Sequence, residues 1–130
     1  MRRILIVAFP DVQTLDVVGP AEVFSMANSL ANGGEYDVEV VASAADALTT
    51  GSGLKLLPHR SLAAVRGPID TLLVAGGTGV VAAKDDERLM RFIRSASSRA
   101  PRGVRLHGRP PAGRGRPARR PPRDHPLGRV

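Results

Sequence analysis

The order of apolar and polar residues along the first hundred positions predicts strands that alternate with helices. The continuous apolar run at 4–9 and the run at 69–75, which is apolar from Leu72 onward, are typical of strands buried in a parallel sheet. The alternating segment 36–42 predicts another strand. Segments 47–50 and 54–57 flank a glycine-rich turn, which predicts a small hairpin beside the sheet.

Between these strands, apolar residues recur at helical spacing and predict helices. Gly19-Pro20 precedes apolar residues at helical spacing, and because proline is tolerated in a first turn we expect the first helix to begin there. The segment 61–65 predicts a short helix. The segment 84–98 predicts a longer one, with acidic residues first and arginines later. Strand and helix in alternation predict an α/β fold with a doubly wound parallel sheet, whose ligands bind at the carboxyl ends of strands.

The charge of the chain is concentrated at its C-terminal end. The formal net charge is +7, yet residues 1–101 hold ten basic against eleven acidic side chains. Residues 102–130 hold nine arginines against the single Asp124, together with six prolines and five glycines. Such a composition predicts a disordered tail, which if genuine would contact polyanions with little specificity. The charge of the whole chain is therefore no evidence for a nucleic-acid-binding domain.

Several kinds of site are excluded or disfavoured by composition. The chain has no cysteine, which excludes a disulfide, a thiolate metal site and a cysteine nucleophile. The three histidines, His59, His107 and His125, have no metal-ligand spacing, so we expect no metal, and no cofactor is indicated. No apolar run reaches the length of a membrane span, and we expect a cytoplasmic protein without membrane contact.

Three motifs in residues 3–102 give the chain a family resemblance. They are 9–24 (FPDVQTLDVVGPAEVF), 50–54 (TGSGL) and 69–77 (IDTLLVAGG). Together they resemble the DJ-1/PfpI (ThiJ/PfpI) family, most closely the GlxA-like subgroup in which this domain precedes an AraC-type helix-turn-helix region. The resemblance implies a flavodoxin-like, class I glutamine amidotransferase-like sandwich. The expected domain is 1–101, incomplete in its C-terminal half.

The resemblance also implies roles for particular residues. Asp16 matches the acidic position of the family, and Gly76, Gly77 and Thr78 match a glycine turn that faces the active cavity. We therefore expect these four residues to line a ligand pocket. Catalytic relatives place a cysteine on a tight turn a few residues beyond position 102, and no residue here matches it. The resemblance thus implies a chain that is not an enzyme by the family mechanism.

Each of these residues has a plainer interpretation. Asp16 is equally well explained as a cap of the helix expected near Gly19, and Glu22 as an acidic residue in the first turn of that helix. The glycine turn lacks the lysine of a nucleotide-binding loop and does not match a dinucleotide fingerprint.

The tail leads to a further hypothesis about the reading frame. Codons of the form GTN CGN CTN CAY GGN CGN encode segment 104–109, and a displacement of one base permits Ser-Val-Cys-Thr-Gly, which is similar to the cysteine turn of the family. Residues 102–130 are then an out-of-frame translation of the missing half. The alternative is a genuine basic tail or an unrelated fused end.

The sequence leaves two classes of parent protein open. The first is a regulator, in which this domain is a sensor or dimerisation module and DNA is contacted only by a helix-turn-helix region absent here. The second is a cysteine-dependent enzyme of the isonitrile hydratase, amidase or glyoxalase-like type. The resemblance implies a homo-oligomer and a small-molecule ligand that the sequence does not identify.

Overall fold

A parallel sheet of four strands forms the centre of the described fold. The computed structural model describes residues 1–99. The strand order is β5-β2-β1-β6, and a separate antiparallel pair is formed by β3 and β4. The elements in chain order are β1 (Arg2–Val7), α1 (Thr14–Leu30), β2 (Tyr36–Ala42), β3 (Leu48–Thr49), β4 (Lys55–Leu56), β5 (Arg60–Ser61), a 3-10 turn (Leu62–Ala64), β6 (Thr71–Val74), α2 (Val80–Ala83) and α3 (Glu87–Arg99).

Strand β1 lies between two parallel neighbours, as its apolar sequence predicts. Ile4 is in register with Val38 of β2 on one side and with Thr71 of β6 on the other. The β1 residues from Ile4 onward are buried. The predicted parallel α/β fold is thus confirmed, and the central position of β1 places the loop that follows it in the middle of the sheet's carboxyl edge.

The start of α1 differs from the prediction. The helix begins at Thr14, not near Gly19, and Pro20 lies inside it. Because Pro20 has no N–H, it leaves the Asp16 carbonyl without its helical partner. The sequence pattern placed this proline in a first turn, where it is usually tolerated, whereas the chain accommodates it in the interior. Glu22 therefore lies well inside the helix and is not the expected first-turn acid.

The remaining elements agree with the pattern except where they are very short. Strand β2 spans the predicted residues, the β3–β4 hairpin is present, and the predicted short helix is a 3-10 turn. The pattern does not predict β5 and α2, which have two and four residues. Segments of this length show no usable periodicity.

A buried carboxylate on β2 is neutralised by two arginines. Glu39 is only 7% exposed. Its carboxylate oxygens lie 3.3 Å from an Nη2 of Arg3 and 2.7 Å from the Nε of Arg60. The guanidinium of Arg3 also donates to the carbonyl of Arg66. A buried charge is costly unless it is paired. The two arginines therefore allow Glu39 to be buried in the sheet.

Among residues 1–99, no helix is both long enough and apolar enough to cross a membrane.

Candidate functional site

The loop after β1 and the glycine turn after β6 meet at the carboxyl edge of the sheet. Because β1 and β6 are parallel neighbours, the segments that leave them begin side by side. The backbone N–H of Gln13 donates to the carbonyl of Gly76 at 2.8 Å, and that of Gly79 donates to the carbonyl of Asp11 at 3.2 Å. The two segments are therefore joined directly through their backbones.

This close approach requires glycine at two positions of the turn. Gly77 has a φ of +128°, and a Cβ there would lie 2.8 Å from the Asp11 carbonyl oxygen. A Cβ on Gly79 would meet the carbonyl oxygen of Pro10 and lie 3.2 Å from the Asp11 carbonyl carbon. A side chain at either position would collide with the backbone of the loop after β1. The glycine motif thus has a steric explanation.

Asp16 connects α1 to the same turn. Its Oδ2 accepts a hydrogen bond from the backbone N–H of Gly76 at 2.9 Å. The structure therefore brings together two of the four predicted site residues, although they are 60 positions apart in sequence. Gly77 follows directly in the turn, and Thr78 is exposed. The roles predicted for these four residues in ligand binding stay predictions.

The capping interpretation of Asp16 is wrong. Asp16 is the third residue of α1, whose N-cap is Gln13, and the side chain of Gln13 makes no capping hydrogen bond. The carboxylate of Asp16 holds the glycine turn instead. Within residues 1–99 its other oxygen, Oδ1, accepts no hydrogen bond from a side chain or the backbone, so an acceptor is available at this edge.

The β3–β4 hairpin forms a third side of the site. The Oγ1 of Thr14 and the Oγ of Ser52 are 2.8 Å apart, and Ser52 also lies 3.1 Å from the Oγ1 of Thr50. Backbone N–H groups of Asp11 and Gly51 donate to the carbonyls of Thr49 and Val12. The hairpin was predicted to lie beside the sheet, but its contribution to the site was not predicted. The available signal was the motif at 50–54.

A second polar group lies at the carboxyl end of β2. Ser43 follows this strand, and its hydroxyl donates to the Oδ2 of Asp86. The Oδ1 of Asp86 accepts from the backbone N–H groups of Arg88 and Leu89 at 3.0 and 3.2 Å, which caps α3. The hydrogen bond from Ser43 is the main reason that the pKa of Asp86 lies below its ordinary value of 3.8. No sequence motif predicts the contact between Ser43 and Asp86.

His59, the histidine within residues 1–99, belongs to neither group. The exposed His59 follows the hairpin, and its Nδ1 accepts from the backbone N–H of Val40 at 2.9 Å. Across residues 1–99 no three acidic, histidine or cysteine side chains are grouped so that they could hold a metal ion. His107 and His125 lie outside the described residues.

The described sequence and fold are similar to known proteins. The DJ-1/PfpI family profile matches residues 2–102. An isonitrile hydratase from Pseudomonas putida is 34% identical over 92 residues, which cover 71% of this chain and 37% of that protein.

Solved structures show the same fold at lower identity. A ThiJ/PfpI family protein from Pseudomonas syringae superposes with a TM-score of 0.69 at 23% identity, covering 81% of this chain and 41% of that one. An AraC family transcriptional regulator from Pseudomonas putida superposes with a TM-score of 0.60 at 19% identity, covering 83% and 62%. The chain thus spans less than two thirds of each of these relatives.

Proposed function

Since the chain belongs to the DJ-1/PfpI family, we propose that residues 1–101 are a non-catalytic part of such a domain, similar to the sensor half of an AraC-type regulator. In this proposal Asp16 and the turn Gly76-Gly77-Thr78 line a pocket for a small molecule. DNA contact belongs to a separate helix-turn-helix region of the parent protein. Similarity to an AraC family regulator of known structure supports the fold of this proposal.

The observation that carries the proposal is the hydrogen bond from the Gly76 N–H to the carboxylate of Asp16. The catalytic chemistry implied by the family needs an acidic side chain beside a thiolate, and the chain contains no cysteine. The carboxylate instead accepts the N–H of Gly76 at 2.9 Å. Its role is therefore to fix the position of α1 against the glycine turn, which a binding module needs as much as an enzyme does.

A fragment of a cysteine-dependent enzyme is the second candidate. The observation that favours it is the 34% identity to an isonitrile hydratase over residues that make up 71% of this chain. The site residues serve both candidates, because the Asp16–Gly76 contact is compatible with either parent. Both candidates predict that the chain as given has no thiol-dependent activity.

An isonitrile hydration assay tests the absence of catalysis. The full chain is incubated with an alkyl isonitrile, and formation of the N-alkyl formamide is followed by chromatography. The Pseudomonas putida isonitrile hydratase is the positive control, and Asp16→Ala is the matched variant. We expect no product above the protein-free rate. Product formation by the chain that Asp16→Ala abolishes would overturn the proposal.

The proposal extends to the tail, which lies outside the described residues. We propose that 102–130 are an out-of-frame translation of the remaining half of the domain. The codon arithmetic at 104–109, which permits Ser-Val-Cys-Thr-Gly in a displaced frame, supports this origin. The parent protein is then either the regulator or the enzyme, and the displaced frame distinguishes them.

A further inference from the structure

A pocket of about 440 Å³ lies between α3 and the 3-10 turn, on the side of the sheet occupied by β2. It is separate from the Asp16 site, because its lining includes no residue of the loop after β1 or of the glycine turn. A volume of this size is within the range of small-molecule pockets.

The pocket combines an apolar floor with a positively charged rim. Leu62, only 6% exposed, and the half-buried Phe92 supply the apolar surface. Arg88 and Arg91 line it three positions apart on α3, so their guanidinium groups lie on neighbouring parts of one helix face. Ser95 adds a hydroxyl donor one turn after Arg91.

The arginines of the rim lack strong internal partners. The ion pairs found within residues 1–99 join Arg3 and Arg60 to Glu39, and neither Arg88 nor Arg91 takes part in one. Arg88 does lie near Asp86, whose pKa it helps to lower. Arg91 lies one turn after Glu87 on α3, but within residues 1–99 the two side chains form no ion pair, so the charge of Arg91 is available to a ligand.

We infer that this pocket binds a small organic monocarboxylate with an apolar body. A guanidinium binds a planar carboxylate through two parallel hydrogen bonds, and the arginines at the rim offer this geometry. Phe92 and Leu62 would cover the apolar part of the ligand. Inorganic phosphate has no apolar part and would leave these two side chains uncovered. An aromatic acid of about ten non-hydrogen atoms fits the volume.

Protection from arginine modification tests this inference residue by residue. The full chain is treated with phenylglyoxal with and without sodium benzoate, and modified peptides are quantified by mass spectrometry. We expect saturating benzoate to slow modification of Arg91 at least about five-fold. Arg94 is the internal control, because it lies on the same helix but does not line this pocket. Its modification rate should change by less than about 1.5-fold.

Two chemical comparisons separate the pocket from general attraction to a basic chain. Benzamide, which lacks the charge, should give no protection. Acetate lacks the apolar body, so the acetate concentration that half-protects Arg91 should be at least about ten-fold higher than the benzoate concentration. Equal protection of Arg91 and Arg94, or equal potency of acetate and benzoate, would overturn the inference.

A pair of variants with equal charge completes the test. Arg91→Gln should raise the benzoate concentration for half-protection of Arg88 at least about five-fold, whereas Arg94→Gln should change it less than about two-fold. Asp16→Asn should leave protection unchanged, so failure of the proposed function at Asp16 can be distinguished from failure here. An unchanged half-protection concentration in Arg91→Gln would contradict the inference.

Discussion

At the scale of single residues, one hydrogen bond joins the two parts of the predicted site, helix α1 and the glycine turn. The carboxylate of Asp16 accepts the N–H of Gly76, whose backbone is buried. Asp16→Ala would leave this N–H unpaired and should lower the free energy of unfolding by about 1–3 kcal/mol. Asp16→Asn keeps an acceptor oxygen and should lower it by less. Urea unfolding of the three proteins measures the difference, and equal losses in the two variants would contradict this role.

Gly77 has both a left-handed backbone and a close neighbour. Gly77→Ala would bring a Cβ to 2.8 Å from the Asp11 carbonyl oxygen, and we expect a loss of about 3 kcal/mol in unfolding free energy. Gly34 is the control, because its φ is +84° but a Cβ there would meet nothing within 4 Å. Gly34→Ala should therefore cost only about 1 kcal/mol. Similar losses at the two positions, by thermal or urea unfolding, would show that the close approach is unimportant.

Asp86 makes the stability of the fold depend on pH in the acid range. Its pKa is lowered in the folded state, chiefly by the hydrogen bond from Ser43, so the unfolded state binds more protons near pH 3.8. The stability that Asp86 contributes is thus complete above that pH and is lost as the pH falls through the folded pKa.

The corresponding variants are Asp86→Ala and the neighbouring Asp85→Ala. Asp86→Ala should lower the free energy of unfolding by about 1–2 kcal/mol at pH 7, and the difference from the parent protein should shrink below pH 3.8. Asp85 is exposed and should change stability by less than about 0.5 kcal/mol. Urea unfolding at several pH values gives both quantities. A deficit of Asp86→Ala that stays constant down to pH 2 would contradict the assignment.

At the scale of elements, regular patterns were predictable and long-range polar contacts were not. Strand β2 matches its alternating segment, and the β1 run has the two-sided burial that its apolar sequence indicates. The start of α1 was mispredicted because Pro20 is ambiguous between a first turn and an interior that tolerates it. The Ser43–Asp86 pair was missed because its members are 43 positions apart, and the helical period of 84–98 does not indicate which distant residue Asp86 contacts.

The same limit applies to the site. The resemblance placed Asp16 and the glycine turn together, and the parallel neighbours β1 and β6 bring them into contact. Periodicity alone indicates only that both follow strands. It does not indicate that the hairpin contributes Ser52 to the same edge, because hydroxyl contacts carry no sequence period.

Helix α1 exposes large apolar side chains that its own fold does not cover. Val23, Met26 and Leu30 are 66%, 62% and 80% exposed and recur at helical spacing on one face. Such a stripe favours self-association. Met26→Lys should reduce the associated fraction several-fold in sedimentation velocity, with a stability change within about 0.5 kcal/mol.

A charge-matched variant separates the stripe from net charge. Ser25 is exposed on α1 outside this stripe, and Ser25→Lys adds the same charge as Met26→Lys. We expect Ser25→Lys to leave the associated fraction unchanged. Equal effects of the two variants would show that charge repulsion, not the apolar stripe, controls association.

At the scale of the whole molecule, the described sheet has an open edge, and the chain matches only part of the length of its relatives. The sheet ends at β6, whose outer edge has no partner strand within residues 1–99, and the chain spans 41% of a structural relative. An unpaired strand edge promotes association with other chains. Variants that add charge along β6 would test whether this edge mediates association of the chain.

Sequencing the encoding DNA through and beyond the codons for 102–130, in all frames, tests this account most directly. The account predicts a displaced frame that encodes a Val-Cys-Thr-Gly turn and then continues as the rest of a DJ-1/PfpI domain. A helix-turn-helix region further along that frame identifies the regulator as parent, and a stop soon after the domain identifies the enzyme. No family-like sequence in any displaced frame would contradict the account and make the arginine-rich tail a genuine part of this protein.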